Sequence, residues 1–112
     1  MKDLKKKISE FNKERNWDQF HSPKNLAIGL SVEANELLEY FTWMGEEESR
    51  ELPDKTVHEV CEEIGDVLIY LVNLSNKLGV DPVECAHEKL KTNDQKYPPE
   101  KAFGSCKKYD EI

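Results

Sequence analysis

Residues 54–78 read DKTVHEVCEEIGDVLIYLVNLSNKL, and this stretch decides the fold class. Its centre, VLIYLV at residues 67–72, is compatible with a buried strand when it is read alone. The whole stretch excludes a strand, because apolar residues recur every three or four positions along its length. These residues are Val57, Val60, Ile64, Val67, Leu71, Leu74 and Leu78. The pattern predicts one long helix and therefore an all-α fold.

The predicted helix is apolar on more than one side, since Leu68, Ile69 and Val72 lie outside the main stripe. A helix that is apolar nearly all round is usually buried nearly all round. A chain of 112 residues has few other elements with which to surround such a helix. We therefore expect these three residues to pack against a second copy of the chain, in a homodimer or homotetramer.

Cap signals flank the long helix and predict further helices. Ser22 and Asp81 are typical N-cap residues, and each is followed by a proline at the first helical position. The predicted helices cover about residues 2–15, 23–42, 54–78 and 82–96, and residues 98–112 have no periodicity and are predicted to form a tail. The sequence thus predicts a four-helix bundle protomer, with a single domain over residues 1–112.

Composition excludes several classes of protein. The chain carries 16 Lys and Arg against 23 Asp and Glu, a formal net charge of −7. Proteins that bind nucleic acids or anionic membranes need a basic surface, so neither partner is expected. The N-terminus is charged and reaches no apolar region, so we expect no signal peptide. An odd count of 3 cysteines without a CxxC pair predicts reduced thiols and a cytoplasmic protein.

Two pairs of acidic residues are candidates for chemistry. Glu33 and Glu36 are three apart on the second predicted helix, and Glu63 and Asp66 are three apart on the third. Side chains with this spacing project from the same side of a helix, with Cβ atoms about 5–6 Å apart. Glu33 occupies a position where the helical pattern calls for an apolar residue. The other members of that stripe are Leu26, Leu30, Leu37 and Tyr40.

Such pairs are common in an acidic chain, and a solvated helix face is the alternative explanation. If the two helices pack antiparallel, however, the four carboxylates meet in one cleft. Each like-charge pair at ~6 Å would repel by on the order of 3 kcal/mol at an effective dielectric constant near 20. Protonation or a bound cation must then relieve the repulsion. Oxygen ligands favour a hard cation, Mg²⁺ first, with Mn²⁺ as a possible substitute.

Four ordered motifs resemble a known family over nearly the whole chain. They are ERNWDQFHSPKNL at 14–26, GLSVEANELLEYFTW at 29–43, EEIGDVLIYL at 62–71 and KYP at 96–98. Together they resemble the MazG-like all-α nucleoside triphosphate pyrophosphohydrolases, and within that family the dCTP pyrophosphatase branch. The resemblance implies hydrolysis of a nucleoside triphosphate, dCTP-like or modified, between its α- and β-phosphates. The products would be the monophosphate and pyrophosphate, as expected of an enzyme that cleans the nucleotide pool.

The resemblance also implies roles for single residues. The residues matching the family's Mg²⁺-binding, catalytic carboxylates are Glu33, Glu36, Glu63 and Asp66. Those matching its substrate-binding residues are Trp17 and Trp43 for the base and Tyr70, Lys89 and Asn93 for the sugar and phosphates. His21 is added as a residue that could approach the nucleotide from the Trp17 loop, residues 16–22 between the first two predicted helices. Two positions depart from the pattern, with Val32 in place of an acid and Ile8 in place of a pocket histidine.

Two alternatives remain open from the sequence. The chain could be a pyrophosphohydrolase of broader specificity, acting on several or on non-standard triphosphates. It could also belong to another class, as a helical interaction module whose acidic cluster is only structural. Release of pyrophosphate from a panel of nucleotides in the presence of Mg²⁺ would distinguish these alternatives.

Overall fold

Helices form all of the regular structure, in agreement with the predicted all-α class. The computed structural model describes residues 1–112. Its helices are α1 (Lys2–Glu14), α2 (Pro23–Glu39), α3 (Glu46–Arg50), α4 (Asp54–Leu78), α5 (Pro82–Lys96) and α6 (Pro99–Ala102), with a 3₁₀ turn at Asp18–Phe20. The long helix expected over residues 54–78 is present with those bounds.

The short elements and one helix end differ from the sequence-based expectation. Helix α2 ends at Glu39 rather than near residue 42, because the N–H groups of Tyr40 and Phe41 bond to carbonyls three residues back. Phe41, for example, donates its N–H to the Leu38 carbonyl at 2.8 Å. Helix α3 and the 3₁₀ turn were not predicted, and α6 lies inside the predicted tail. All three are too short to show a helical period in sequence.

The helix caps follow the local chemistry of the chain. The Ser22 side chain accepts a hydrogen bond from the Asn25 N–H at 3.1 Å at the start of α2. Asp81 accepts from the N–H groups of Val83 and Glu84 at 2.8 and 3.3 Å at the start of α5. Helix α4 ends at Gly79, whose φ of 69° lies in the left-handed region that glycine adopts without strain. The sequence therefore fixes these boundaries locally.

The chain divides into two compact units, Met1–Gly79 and Val80–Ile112. In the first unit, α2 packs along α4, and α1 packs against another part of α4. The second unit contains α5 and α6. The first unit packs three long helices, α1, α2 and α4, and the fourth long helix, α5, belongs to the second unit. The four-helix bundle in a single domain therefore stays a prediction.

The apolar core of the chain is small. The buried apolar residues are Ile8, Leu26, Val60 and Val72. The expectation that Val72 packs against a second copy is wrong, because this side chain is already 1% exposed within one chain. Of the other two expected residues, Leu68 is half-buried and Ile69 is 41% exposed. Further α4 residues remain accessible at a spacing of seven. These residues are Val57, Ile64, Leu71 and Leu78, which are 43%, 51%, 37% and 57% exposed.

Two further observations concern membrane-spanning helices and disulfides. No helix combines the length and the apolar character that a membrane crossing requires. The cysteines Cys61, Cys85 and Cys106 are all free and exposed, so none of them forms a disulfide.

Leu26 tests how far this small core stabilises the fold. Leu26→Ala should lower the free energy of unfolding by about 2–5 kcal/mol, because the side chain is fully buried and its removal leaves a cavity. Ser31→Ala, at an exposed position on the same helix, should change the same quantity by less than about 0.5 kcal/mol. Urea titration followed by circular dichroism measures both. Equal effects of the two changes would contradict the assigned core.

Candidate active site

Packing of α2 on α4 brings carboxylates from both helices together. Glu33 and Glu36 project from α2, and Glu63 projects from α4. One carboxylate oxygen from each of the three lies within 4.8 Å of the other two. The convergence of the two acidic motifs predicted from sequence is therefore present for these three residues. We call them the carboxylate cluster.

The cluster is partly removed from solvent. Glu33 Oε2 and Glu63 Oε2 are buried and have no hydrogen-bond partner, while Glu36 is exposed. On α2 the neighbours of Glu33 along its stripe are buried or half-buried, as the helical pattern predicted. A buried carboxylate oxygen without a donor is unfavourable, and in native proteins such an atom calls for an explanation. A proton or a cation between these oxygens would supply the missing partner.

Burial and mutual repulsion change the acidity of the cluster. Burial, followed by the neighbouring Glu36 carboxyl, raises the pKa of Glu33 from 4.5 to about 7. Burial is also the main cause that raises the pKa of Glu63, and the charge of Glu36 adds to it. The pKa of the Tyr40 hydroxyl is raised by burial and by surrounding glutamates, first among them Glu59. Negative charge is therefore already in excess here, and positive charge would be stabilised.

Asp66 stands at the edge of the cluster rather than inside it. It is exposed one turn further along α4, and its charge contributes to the raised pKa of Glu33 and of Glu63. Four carboxylates were expected to converge. Three of them do so closely enough to share a metal ion, and Asp66 lies outside that group. Asp66 instead borders a neighbouring cavity.

That cavity has a volume of about 380 Å³ and lies between α1, α4 and the Trp17 loop. Its aromatic wall includes Phe11, Trp17 and Tyr70. The Phe11 and Trp17 rings meet edge to face with their centroids 5.5 Å apart. His21 also lines the cavity, and its Nδ1 is buried without a partner. A largely apolar cavity with aromatic walls and a few polar groups is suited to a planar ring.

Tyr70 reaches this cavity because α2 carries a glycine where the two helices approach. A Cβ atom at Gly29 would overlap the Tyr70 ring, so only glycine allows this approach. Gly29 is not among the site residues predicted from sequence. An isolated glycine inside a helical pattern was the available signal, because it often marks a close contact.

One predicted site residue of the first unit does not reach this cavity. Trp43 follows α2, is 95% exposed and does not line the cavity of its own chain. Lys89 and Asn93 lie one turn apart on α5, in the second unit.

Two residues that were not predicted from sequence, Asn12 and Asn73, line the cavity and are buried. Asn12 follows Ile8 by four residues, so a polar residue on the apolar face of α1 was the signal.

Comparison with known proteins finds similar sequences over most of the chain. The model of the MazG-like family matches residues 28–112. The chain is 39% identical to dCTP pyrophosphatase 1 of Mus musculus over 114 aligned residues, which cover all of this chain and 67% of the relative. It is 37% identical to dCTP pyrophosphatase 1 of Homo sapiens with the same coverage.

A solved structure is similar in three dimensions as well as in sequence. The crystal structure of a pyrophosphatase from Archaeoglobus fulgidus superposes with a TM-score of 0.83 and 41% identity. The match covers 88% of this chain and 92% of that chain.

The raised pKa of Glu33 predicts how stability varies with pH when a chelator is present. The folded chain binds this proton more tightly than the unfolded chain, so its contribution to stability is present below pH 4.5 and is lost as pH rises toward 7. Glu33→Gln removes the titration and should therefore raise Tm relative to the parent chain more at pH 8 than at pH 5. Thermal unfolding at the two pH values measures this difference. Glu47→Gln, on exposed α3, should give no such difference, and an equal response would contradict the assignment.

Proposed function

Because the chain belongs to the MazG-like family, we propose that it hydrolyses dCTP, or a closely related pyrimidine triphosphate, to the monophosphate and pyrophosphate. The relatives named as dCTP pyrophosphatases and the similar pyrophosphatase structure support the wider class, a nucleoside triphosphate pyrophosphohydrolase. The single observation that carries the proposal is the carboxylate cluster beside a cavity with an aromatic wall.

The residues of the cluster fit Mg²⁺. They offer oxygen atoms only, from three side chains within 4.8 Å, and two of the buried oxygens lack a partner. Hard divalent cations prefer such ligands, and Mn²⁺ accepts the same set. Glu33, Glu36 and Glu63 would hold the ion, with Asp66 beside them. A bound Mg²⁺ would neutralise phosphate charge, polarise the α-phosphorus and activate water.

The neighbouring cavity fits the base of the nucleotide. Trp17 presents a flat ring there, and Asp66 borders the cavity on α4. A base seated against the Trp17 ring would direct its phosphates toward the carboxylate cluster. Tyr70, which the resemblance assigns to the sugar and phosphates, lines the same cavity and is proposed to contact them from there. Lys89 and Asn93 are proposed to contact the sugar and phosphates, with Lys89 as a point charge. His21 is proposed to approach the nucleotide from the Trp17 loop.

Association with a second copy is part of the proposal. The exposed positions Val57, Ile64, Leu71 and Leu78 form one apolar stripe along α4, as in a helix that packs against a partner helix. Trp43 is almost fully exposed and does not reach the cavity of its own chain. A base-binding role for Trp43, as the resemblance implies, therefore requires the cavity of a neighbouring copy. A homo-oligomer satisfies both observations.

Pyrophosphate release from a panel of nucleotides tests the activity. With Mg²⁺ present, the full chain should release one pyrophosphate per dCMP formed from dCTP, and excess EDTA should abolish turnover. Glu33→Gln, Glu36→Gln, Glu63→Gln and Asp66→Asn should each lower kcat/KM by at least ~10²-fold.

Control changes at Glu47 and Glu48, in exposed α3, should leave the rate within about twofold. Similar rates on all triphosphates would favour the broader-specificity enzyme. The absence of any turnover would favour the interaction module. Activity that persists in EDTA would contradict the proposed metal.

Assembly is tested at the apolar stripe. Leu71→Lys should dissociate the oligomer and lower activity, because an unpaired charge in an apolar interface costs several kcal/mol. His58→Lys places the same charge on an exposed side of α4 and should leave assembly intact. Light scattering coupled to size exclusion measures the mass of each variant. A fully active parent chain with the 13.0 kDa mass of one copy would refute this part of the proposal.

A further inference from the structure

Two asparagines form the buried polar part of the cavity wall. Asn12 on α1 and Asn73 on α4 are 4% and 6% exposed, and both line the cavity. The Asn12 Nδ2 group donates a hydrogen bond to Asn73 Oδ1 at 2.7 Å. A short, buried bond between two primary amides fixes the position of both side chains.

The bond between the two amides leaves part of each unused. Asn12 Oδ1 remains an acceptor and Asn73 Nδ2 remains a donor, and neither side chain makes a second hydrogen bond within the chain. Neither atom is among the polar atoms that are sealed from solvent without a partner. Both residues line the cavity, which is therefore the place where a ligand could pair with the free acceptor and donor.

A backbone hydrogen bond also fixes the position of the amide pair relative to the aromatic wall. The Trp17 N–H donates to the backbone carbonyl of Asn12 at 3.0 Å, so the start of the Trp17 loop is tied to the residue that carries the free acceptor. The chain makes this turn through Asn16, whose φ of 54° lies in the left-handed region that asparagine tolerates. One local structure thus supplies both a flat ring and a polar edge.

We propose that the Asn12–Asn73 pair reads the hydrogen-bonding edge of the base and makes the site selective for cytosine. This inference rests on the proposed function, because it takes the cavity as the base site. Cytosine presents an amino donor at N4 next to an acceptor at N3. The free Asn12 Oδ1 accepts from the amino group, and the free Asn73 Nδ2 donates to N3. Uracil has the same size but presents an acceptor and a donor in the reverse order.

A purely structural role for the pair predicts something different. If the bond only joins α1 to α4, its loss destabilises the fold and affects all nucleotides equally. If the pair recognises the base, its loss changes the ratio of the kcat/KM values for two nucleotides whose bases differ only at that edge. A site that hydrogen-bonds one base leaves its own buried groups unpaired with the wrong one, and this is the physical source of discrimination.

Selectivity between dCTP and dUTP is therefore the decisive measurement, as the ratio of their kcat/KM values with Mg²⁺. The parent chain should favour dCTP by at least ~10-fold, a typical discrimination for a two-bond base contact. Asn12→Ala and Asn73→Ala should each move the ratio at least ~5-fold toward one, with KM for dCTP raised. Asn76→Ala, one turn along α4 and outside this cavity, should preserve the parent ratio.

An unchanged ratio in both alanine variants, or a parent ratio near one, overturns the proposal. Where an alanine variant does not fold by circular dichroism, the serine variant at the same position provides the comparison. If the parent chain cleaves no triphosphate, the proposed activity fails, and calorimetric binding of dCMP against dUMP then decides the role of the pair. If the parent chain binds dCMP more tightly than dUMP and Asn73→Ala loses this preference, the proposed role of the pair is supported. Equal binding of dCMP and dUMP by the parent chain overturns it.

Discussion

Close packing of α2 along α4 is the constraint on which the rest of the structure depends. It brings Glu33, Glu36 and Glu63 within ligand distance and removes two of their oxygens from water. Burial of carboxylates and the proximity of like charges both oppose folding, and both raise the pKa of Glu33, burial more than the neighbouring charges. A site that is unfavourable when it holds only carboxylates is well suited to a divalent cation, because the ion converts repulsion into coordination.

Helix α1 supplies the other half of the site through a separate contact with α4. The carboxylates lie where α2 meets α4, whereas the cavity lies where α1 meets α4. Asp66 and Tyr70 share the connecting stretch of α4, and Gly29 allows the Tyr70 ring to lie against α2. One long helix therefore sets the distance between the place proposed for the phosphates and the place proposed for the base.

The small core explains why apolar surface remains. Four apolar side chains are buried, while a stripe of four others on α4 stays accessible at a spacing of seven residues. A chain of this size buries a smaller share of its surface than a larger domain does. Apolar residues in a regular stripe are typical of a helix that finds its partner in another copy. Val72 was expected in that role, but it belongs to the core of the single chain.

Local sequence patterns were sufficient to predict the helical class, the bounds of α4, the two helix starts that carry a proline, and the acidic pairs. These features depend on residues close together in the chain, where period, caps and carboxylate spacing act locally. Glu33 could also be predicted as an unusual position, because it is the one acidic residue in an apolar stripe of α2.

Other features follow only from the way the helices pack. They are the convergence of Glu33, Glu36 and Glu63 without Asp66, and the exposure of Trp43 outside the cavity of its own chain. The contact of Asn12 with Asn73, 61 positions away, is another. Each of these depends on the rotation and depth at which helices pack. That packing is set by side-chain shape at the contact, such as the missing Cβ at Gly29, and shape at a contact is not encoded by the period of a single helix.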